Sequence, residues 1–128
     1  MADATQTVTV SFSKGGVTCT TGAHSKSFDV NAASVDAGGF SQLIGSTAEA
    51  LDLPADIAFT NGVDITIKNL DSTNFVYCYM DNGTNLICHI RPGKIAVLPD
   101  MQAVPYLKRD TADCLVYITA FESGASGA

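Results

Sequence analysis

Apolar and polar residues alternate with period two along much of this chain. From Thr5 to Ser13, Val8, Val10 and Phe12 fall on one side and Thr7, Thr9 and Ser11 on the other, the pattern of a half-buried strand. Lys14-Gly15-Gly16 breaks that run, and a short strand resumes over Val17–Thr20. Ser25–Val30 predicts a weak strand, Asn31–Gly39 a loop and Phe40–Gly45 a further strand. Val63, Ile65 and Ile67 then alternate with Asp64, Thr66 and Lys68, a second half-buried strand. Cys114–Phe121 is apolar on both sides and rich in β-formers, as a central buried strand would be.

Turn chemistry punctuates these runs. Asn69–Asn74 is rich in side chains that bond to their own turn backbone. Asn82-Gly83 between apolar strands predicts a hairpin, because a type I′ turn needs positive φ at both central residues. With those two residues as the loop, Tyr79 faces Leu86, Tyr77 faces Cys88 and Phe75 faces Ile90. Phe75, Tyr77, Tyr79, Leu86, Cys88 and Ile90 then form an apolar face that belongs in a core. The opposite face carries Val76, Cys78, Met80, Asn85, Ile87 and His89. It is too apolar for plain solvent and too polar for a second core, so Val76, Cys78, Met80, Ile87 and His89 form a candidate interface. A second layer of the fold, a neighbouring subunit or a covering loop could each meet it. The same register turns Cys78 and Cys88 to opposite faces, which forbids a disulfide between them unless the register slips.

Ser46-Thr47-Ala48-Glu49 has capping-box spacing, which allows at most one short helical turn near residues 46–53, stopped by Pro54. Arg91-Pro92-Gly93-Lys94 places Pro and Gly at the centre of a type II turn. That geometry splays flanking strands, so the segment predicts a corner between sheets, followed by a strand over Lys94–Leu98. Pro105 near the start of a strand over Val104–Lys108 points to an edge. Nine or ten strands with frequent turns predict an all-β fold, an antiparallel β-sandwich of jelly-roll type.

The chain has 128 residues, which suits a single domain over 1–128. A flexible arm over 1–4 and a flexible tail over 124–128 are expected at its ends. Charged residues make up only 16% and net charge is −6, with Lys and Arg scattered singly. Scattered cations argue against direct nucleic-acid binding and against an anionic membrane surface. No apolar run approaches the ~20 residues of a spanning helix, and MADATQTVTVSF has no leader pattern. The four cysteines, Cys19, Cys78, Cys88 and Cys114, are therefore expected to be reduced at synthesis.

Candidate chemistry is sparse. His24 and His89 are the only histidines. Cys78 and His89 share the mixed face in this register, but two ligands fall short of a structural zinc site. A buried thiol acting as a small hydrophobe is the plainer reading. No phosphate-binding or dinucleotide fingerprint occurs. No cofactor, metal or catalytic residue is expected, and the chain reads as a non-enzyme.

Asn69, Asp71, Thr73, Asn74 and Phe75, followed by Pro92, Gly93, Ala96 and Leu98, carry a resemblance. A strand ending in this Asn-x-Asp-x-Thr-Asn pattern, a hairpin and a Pro-Gly-x-x-Ala-x-Leu corner resemble the small β-sandwich virion proteins of tailed bacteriophages. The likeness covers residues 63–121, with a looser echo at Thr5–Gly16 and Gly45–Leu53. Lys94 stands where the pattern often has an acidic residue. The resemblance implies a non-enzymatic structural protein of the virion, assembled in the bacterial cytoplasm, above all a capsid cement (decoration) protein stabilising the shell. Its implied partners are other copies of itself, as a homo-oligomer, and the major capsid protein. The alternatives are a neck or tail component, or a glycan-binding sandwich module, for which exposed Tyr106 and Tyr117 would be the remaining platform.

Overall fold

Twelve strands and no helix organise this computed structural model, which describes residues 4–8, 11–20, 24–28, 39–53, 57–60 and 62–122. The N-terminal part is a nested ribbon. β2 (Ser11–Lys14) and β3 (Val17–Thr20) form a hairpin, while β1 (Ala4–Val8) pairs antiparallel with β4 (His24–Phe28). Gly15 and Gly16 turn that hairpin with φ of 58° and 80°, angles that side chains with a Cβ resist. The expected arm loses Ala4 to β1; the rest of it, the loop over 31–38 and the tail lie outside the described residues.

The remaining strands build two four-stranded antiparallel sheets. They are β5 (Gly39–Ile44), β6 (Glu49–Ala50), β7 (Val63–Asn69), β8 (Val76–Met80), β9 (Asn85–Ile90), β10 (Ile95–Met101), β11 (Tyr106–Arg109) and β12 (Cys114–Glu122). One sheet has the order β10-β7-β12-β5, the other β6-β11-β8-β9; below they are the β12 sheet and the β8 sheet. The pairings are nested: β8 with β9, β7 with β10, β6 with β11, β5 with β12. Every connection between consecutive strands from β5 to β12 crosses from one sheet to the other, except the β8–β9 hairpin.

Alternation decides which side chains meet between the sheets. Val63, Ile65 and Ile67 of β7 are fully buried, as are Val116, Ile118 and Ala120 of β12. They pack in one cluster with Val76 and Cys78 of β8, Ile90 of β9 and Leu107 of β11. Burying a large aliphatic side chain contributes roughly 1.5–3 kcal/mol, so this shared interior is what holds the layers together. The result is an all-β antiparallel sandwich. The central position expected for Cys114–Phe121 is where β12 lies, flanked by β7 and β5.

Two other expectations change. The capping-box residues form no helical turn. Glu49 instead opens β6 opposite Leu107, its Oε1 accepting from the Gly45 N–H at 3.1 Å. Buried Gln42 zips the same segment, donating to the Ala50 carbonyl and accepting from the Asp52 N–H. Pairing across the sheet outweighs a local cap with little helix behind it. Nor is β11 an edge: it lies between β6 and β8. Pro105 precedes the strand, buried, where its missing N–H interrupts no ladder.

The Asn69–Phe75 turn and the Pro92-Gly93 corner join the sheets at one end. Buried Asn69 donates to the carbonyls of Asn74 (2.8 Å) and Ile90 (2.9 Å), and accepts from the Asp71 N–H at 2.9 Å. Asp71 Oδ2 in turn accepts from the N–H groups of Thr73 and Asn74. Gly93, with φ of 75°, donates to the Asn69 carbonyl, and Lys94 N–H closes the turn on Arg91. The expected inter-sheet corner is thereby realised, since β9 and β10 belong to different sheets.

Candidate interaction surface

The β8–β9 hairpin begins in the expected register and then leaves it. Positive φ at Asp81, Asn82 and Gly83 makes the tip, and Met80 faces Asn85 while Tyr79 faces Leu86. Between Cys78 and Tyr79 the register shifts by one residue. Ile87 is the extra residue of a bulge, so Cys78 faces Cys88, Tyr77 faces His89 and Val76 faces Ile90. A bulge reverses the facing of every later side chain on its strand relative to the partner.

That shift divides the candidate interface. Val76 and Cys78 are fully buried in the core and present nothing to a partner. Met80 is half-buried, while Ile87 and His89 are exposed. The face expected to be core is split as well: Ile90 is buried and Cys88 packs against the core as expected, while Leu86 is 55% exposed and Phe75, Tyr77 and Tyr79 are half-buried on the outside. The physical reason is economical. Strict pairing would have placed His89 inside with Val76 or three aromatic rings inside with Ile90. The bulge lets β8 bury Val76 and Cys78 while β9 buries Ile90, leaving tyrosine hydroxyls and imidazole near water. Cys78 and His89 therefore do not share a face, and the nucleophile or ligand pair that required it does not form.

The outer face of the β8 sheet is aromatic and internally bonded. The His89 ring stacks on Phe75 with centroids 5.5 Å apart and meets Tyr77 edge-on at 6.3 Å. The Arg91 guanidinium lies 5.1 Å over the other partner of that stack, Phe75. Tyr77 donates its hydroxyl to Asp110 at 3.1 Å, which raises its pKa above the ordinary phenol value. Tyr106 faces Tyr79 and Lys108 faces Tyr77 on the neighbouring strand.

The outer face of the β12 sheet is different in kind. Ile95 and Val97 on β10, Leu115 and Tyr117 on β12 and Leu43 on β5 are between 40% and 58% exposed. Leu115 faces Leu43 directly, and the Tyr117 ring lies over Gly39, where an added Cβ would collide with the hydroxyl. The Thr66 and Thr119 hydroxyls bond to one another between them. Lys68 is the one exposed charged side chain on β7 within this apolar surface. A strand apolar on both sides predicts burial on both; Leu115 and Tyr117 instead present one side of β12 outward, and their alternation is the signal for it.

Reactive chemistry is scarce among the described residues. No group of three His, Cys, Asp or Glu side chains could hold a metal ion there. Burial pushes the Cys78 thiol up to about 12, helped by the adjacent Cys88. Burial also raises the Cys114 thiol, with Asp71, Asp110 and Asp113 adding to the shift. Partial burial raises Asp64 despite the N–H it accepts from Asp100. Backbone N–H groups of Asn74 and Thr73 hold Asp71 below the usual carboxylate range. Among the described residues, no helix is long and apolar enough to cross a membrane. Searches find no matching family model and no matching curated protein.

Proposed function

We propose that the chain is a non-enzymatic structural protein of a tailed-bacteriophage virion, a cement protein that clamps the capsid shell through repeated copies of one face. The observation that carries this reading is the outer face of the β12 sheet, where five large apolar side chains stand exposed with little charge among them. An extended apolar patch of that kind marks an interaction site. Depletion of charge at its centre is the composition of an interface core. Symmetry would multiply a modest contact into strong holding.

Two further features support it. The Asn69–Phe75 and Pro92–Leu98 residues that carry the phage resemblance build one hydrogen-bonded junction between the sheets. The nested pairing of β5 to β12 supports the jelly-roll reading, an architecture used by viral capsid domains and also by lectins and cupins; that analogy alone fixes no function. Copy number is the test. Particles purified from the source of this chain should carry it in hundreds of copies, with assembly alongside the major capsid protein. A dozen or fewer copies would assign it to neck or tail, and its absence from particles would overturn the proposal.

A glycan-binding module is the second reading, and one observation favours it. Tyr77 and Tyr79 lie on the outer face of the β8 sheet beside Tyr106, with the Asp110 carboxylate at hand. Aromatic faces beside hydrogen-bonding groups suit sugar rings. Binding by the isolated protein on a glycan array, lost in Tyr79→Ala, would promote this reading above the first.

A further inference from the structure

The bulge at Ile87 does more than sort polar from apolar. It brings Cys78 and Cys88 directly opposite one another as partners on adjacent antiparallel strands. Directly paired residues on such strands have Cα atoms about 4.5–5.5 Å apart, inside the roughly 4.4–6.8 Å range that a disulfide spans. Both side chains turn to the sandwich interior: Cys78 is fully buried, and Cys88 is half-buried against the same core. Both are free thiols. Without the extra residue, alternation would point them to opposite faces.

β9 is the edge strand of its sheet, and where it turns toward β10 a pocket of about 310 Å³ opens. Cys88, Ile90 and Ala96 line it together with the cationic Arg91 and Lys94. A carboxylate-bearing molecule entering this pocket meets two cationic side chains and Cys88 in one lining.

We propose that Cys78 and Cys88 are a dithiol–disulfide site, closed by exchange with a low-molecular-weight peptide disulfide that enters the β9–β10 pocket. The Cys88 thiolate attacks one sulfur of the incoming disulfide, forming a mixed disulfide and releasing one small thiolate, which takes up a proton. The Cys78 sulfur then attacks Cys88 Sγ and expels the second small thiolate, which accepts the Cys78 proton. Two protein thiols are oxidised to one disulfide, and one small disulfide is reduced to two thiols. The order follows from access, because the buried Cys78 is shielded until Cys88 has reacted. A thiol as weakly acidic as Cys78 also reacts slowly with anything that does not arrive beside it. The pair stays reduced in a cytosol and closes in an oxidising medium, locking the hairpin at a sheet edge. This inference does not depend on the virion reading.

The test uses the full chain and oxidised glutathione. After acid quench and alkylation, peptide mapping should show Cys78 joined to Cys88 within one monomer, with no glutathione retained. The oxidised form should have a folding equilibrium constant raised roughly tenfold to a hundredfold, read from urea unfolding. Cys78→Ser should trap glutathione on Cys88, and Cys88→Ser should leave Cys78 unreacted. Replacing Arg91 and Lys94 together by Ala should slow capture of oxidised glutathione about tenfold, while capture of the uncharged 2-hydroxyethyl disulfide is unchanged. A persistent Cys88 adduct in the unsubstituted chain, an inert Cys88, or a bond from Cys78 to another cysteine would each overturn the site. These readouts come from the unsubstituted protein and do not depend on any variant folding.

Discussion

The two outer faces of this sandwich use the same backbone for opposite ends. On the β12 sheet, Ile95, Val97, Leu115, Tyr117 and Leu43 stand exposed with few polar partners. On the β8 sheet, Leu86 and Ile87 stand exposed but the rings are already engaged: His89 stacks on Phe75, Arg91 covers Phe75 and Tyr77 is tied to Asp110. A surface whose side chains satisfy one another gains little by being covered. A surface of unengaged apolar groups gains roughly 25 cal/mol for each Å² removed from water. The contrast teaches where association would release free energy, and it makes the β12 sheet the face on which to test the proposed shell contact.

The largest expected effect removes the seam that the faces share. Asn69→Ala deletes both donors and the acceptor that join the β7 end to Asn74, Ile90 and Asp71. It leaves buried backbone groups without partners, at about 1–3 kcal/mol each. Urea unfolding should show a loss of about 3 kcal/mol or more, with both faces disordered together. A loss below about 1 kcal/mol would mean that the sheets are held almost wholly by their apolar interior.

Next comes a change confined to the apolar face. Leu43→Lys combined with Leu115→Lys puts two like charges opposite one another where two leucines now meet. Both side chains are solvent-facing, so monomer stability should fall by about 1 kcal/mol or less. Binding to capsids should weaken at least about a hundredfold, since desolvating an unpaired charge at an interface centre costs several kcal/mol. Matching substitutions on the other face, Tyr79→Lys with Leu86→Lys, should leave capsid binding within about threefold. The reverse pattern in a co-sedimentation assay would exchange the roles of the faces.

Gly83→Ala probes the hairpin tip of the β8 sheet alone. Its φ of 86° is unfavourable for a residue with a Cβ, and the new Cβ would lie 2.8 Å from that of Ala48. A loss of about 1–2 kcal/mol is expected, with unchanged association through the β12 sheet. An equal loss of association would show that the faces are coupled through β6.

Much of this molecule was legible in its residues, and the illegible parts turn on contacts that local alternation does not show. Val63, Ile65 and Ile67 declared the inner face of β7, and the Pro92-Gly93 corner declared a change of sheet. The nested Asn69–Asn74 turn followed from side chains that bond to their own backbone. What failed was the facing of the hairpin, because period-two reasoning assumes one residue per partner and Ile87 has none. The alternation in Phe75–Met80 offers two apolar faces of similar quality, so nothing local marks the bulge. The capping box gave no helical turn because pairing decides it: Leu107, far away in the chain, and Gln42, on the preceding strand, hold Glu49 and Ala50 in β6. The outer face of β12 was hidden in plain sight, because a strand apolar on both sides reads equally well as buried twice or as half-presented.

The smallest effect separates the seam from both faces by its dependence on pH. Asp71 has a folded pKa below its unfolded one, because the N–H groups of Asn74 and Thr73 favour the ionised form. Its contribution to stability is therefore present above the ordinary carboxylate range and is lost as pH falls through the lowered value. Asp64, at the opposite end of β7, runs the other way: burial raises its pKa, so it favours the fold when protonated and that contribution is lost as pH rises through the raised value. Asp71→Asn should flatten the acid limb of the stability profile, and Asp64→Asn should steepen it. Urea midpoints measured at neutral pH and at about pH 3 should converge for Asp71→Asn and the unsubstituted chain at the acid end. If the two remain parallel, the Asn69–Asn74 turn draws its strength from Asn69 alone and the carboxylate is ornamental to it.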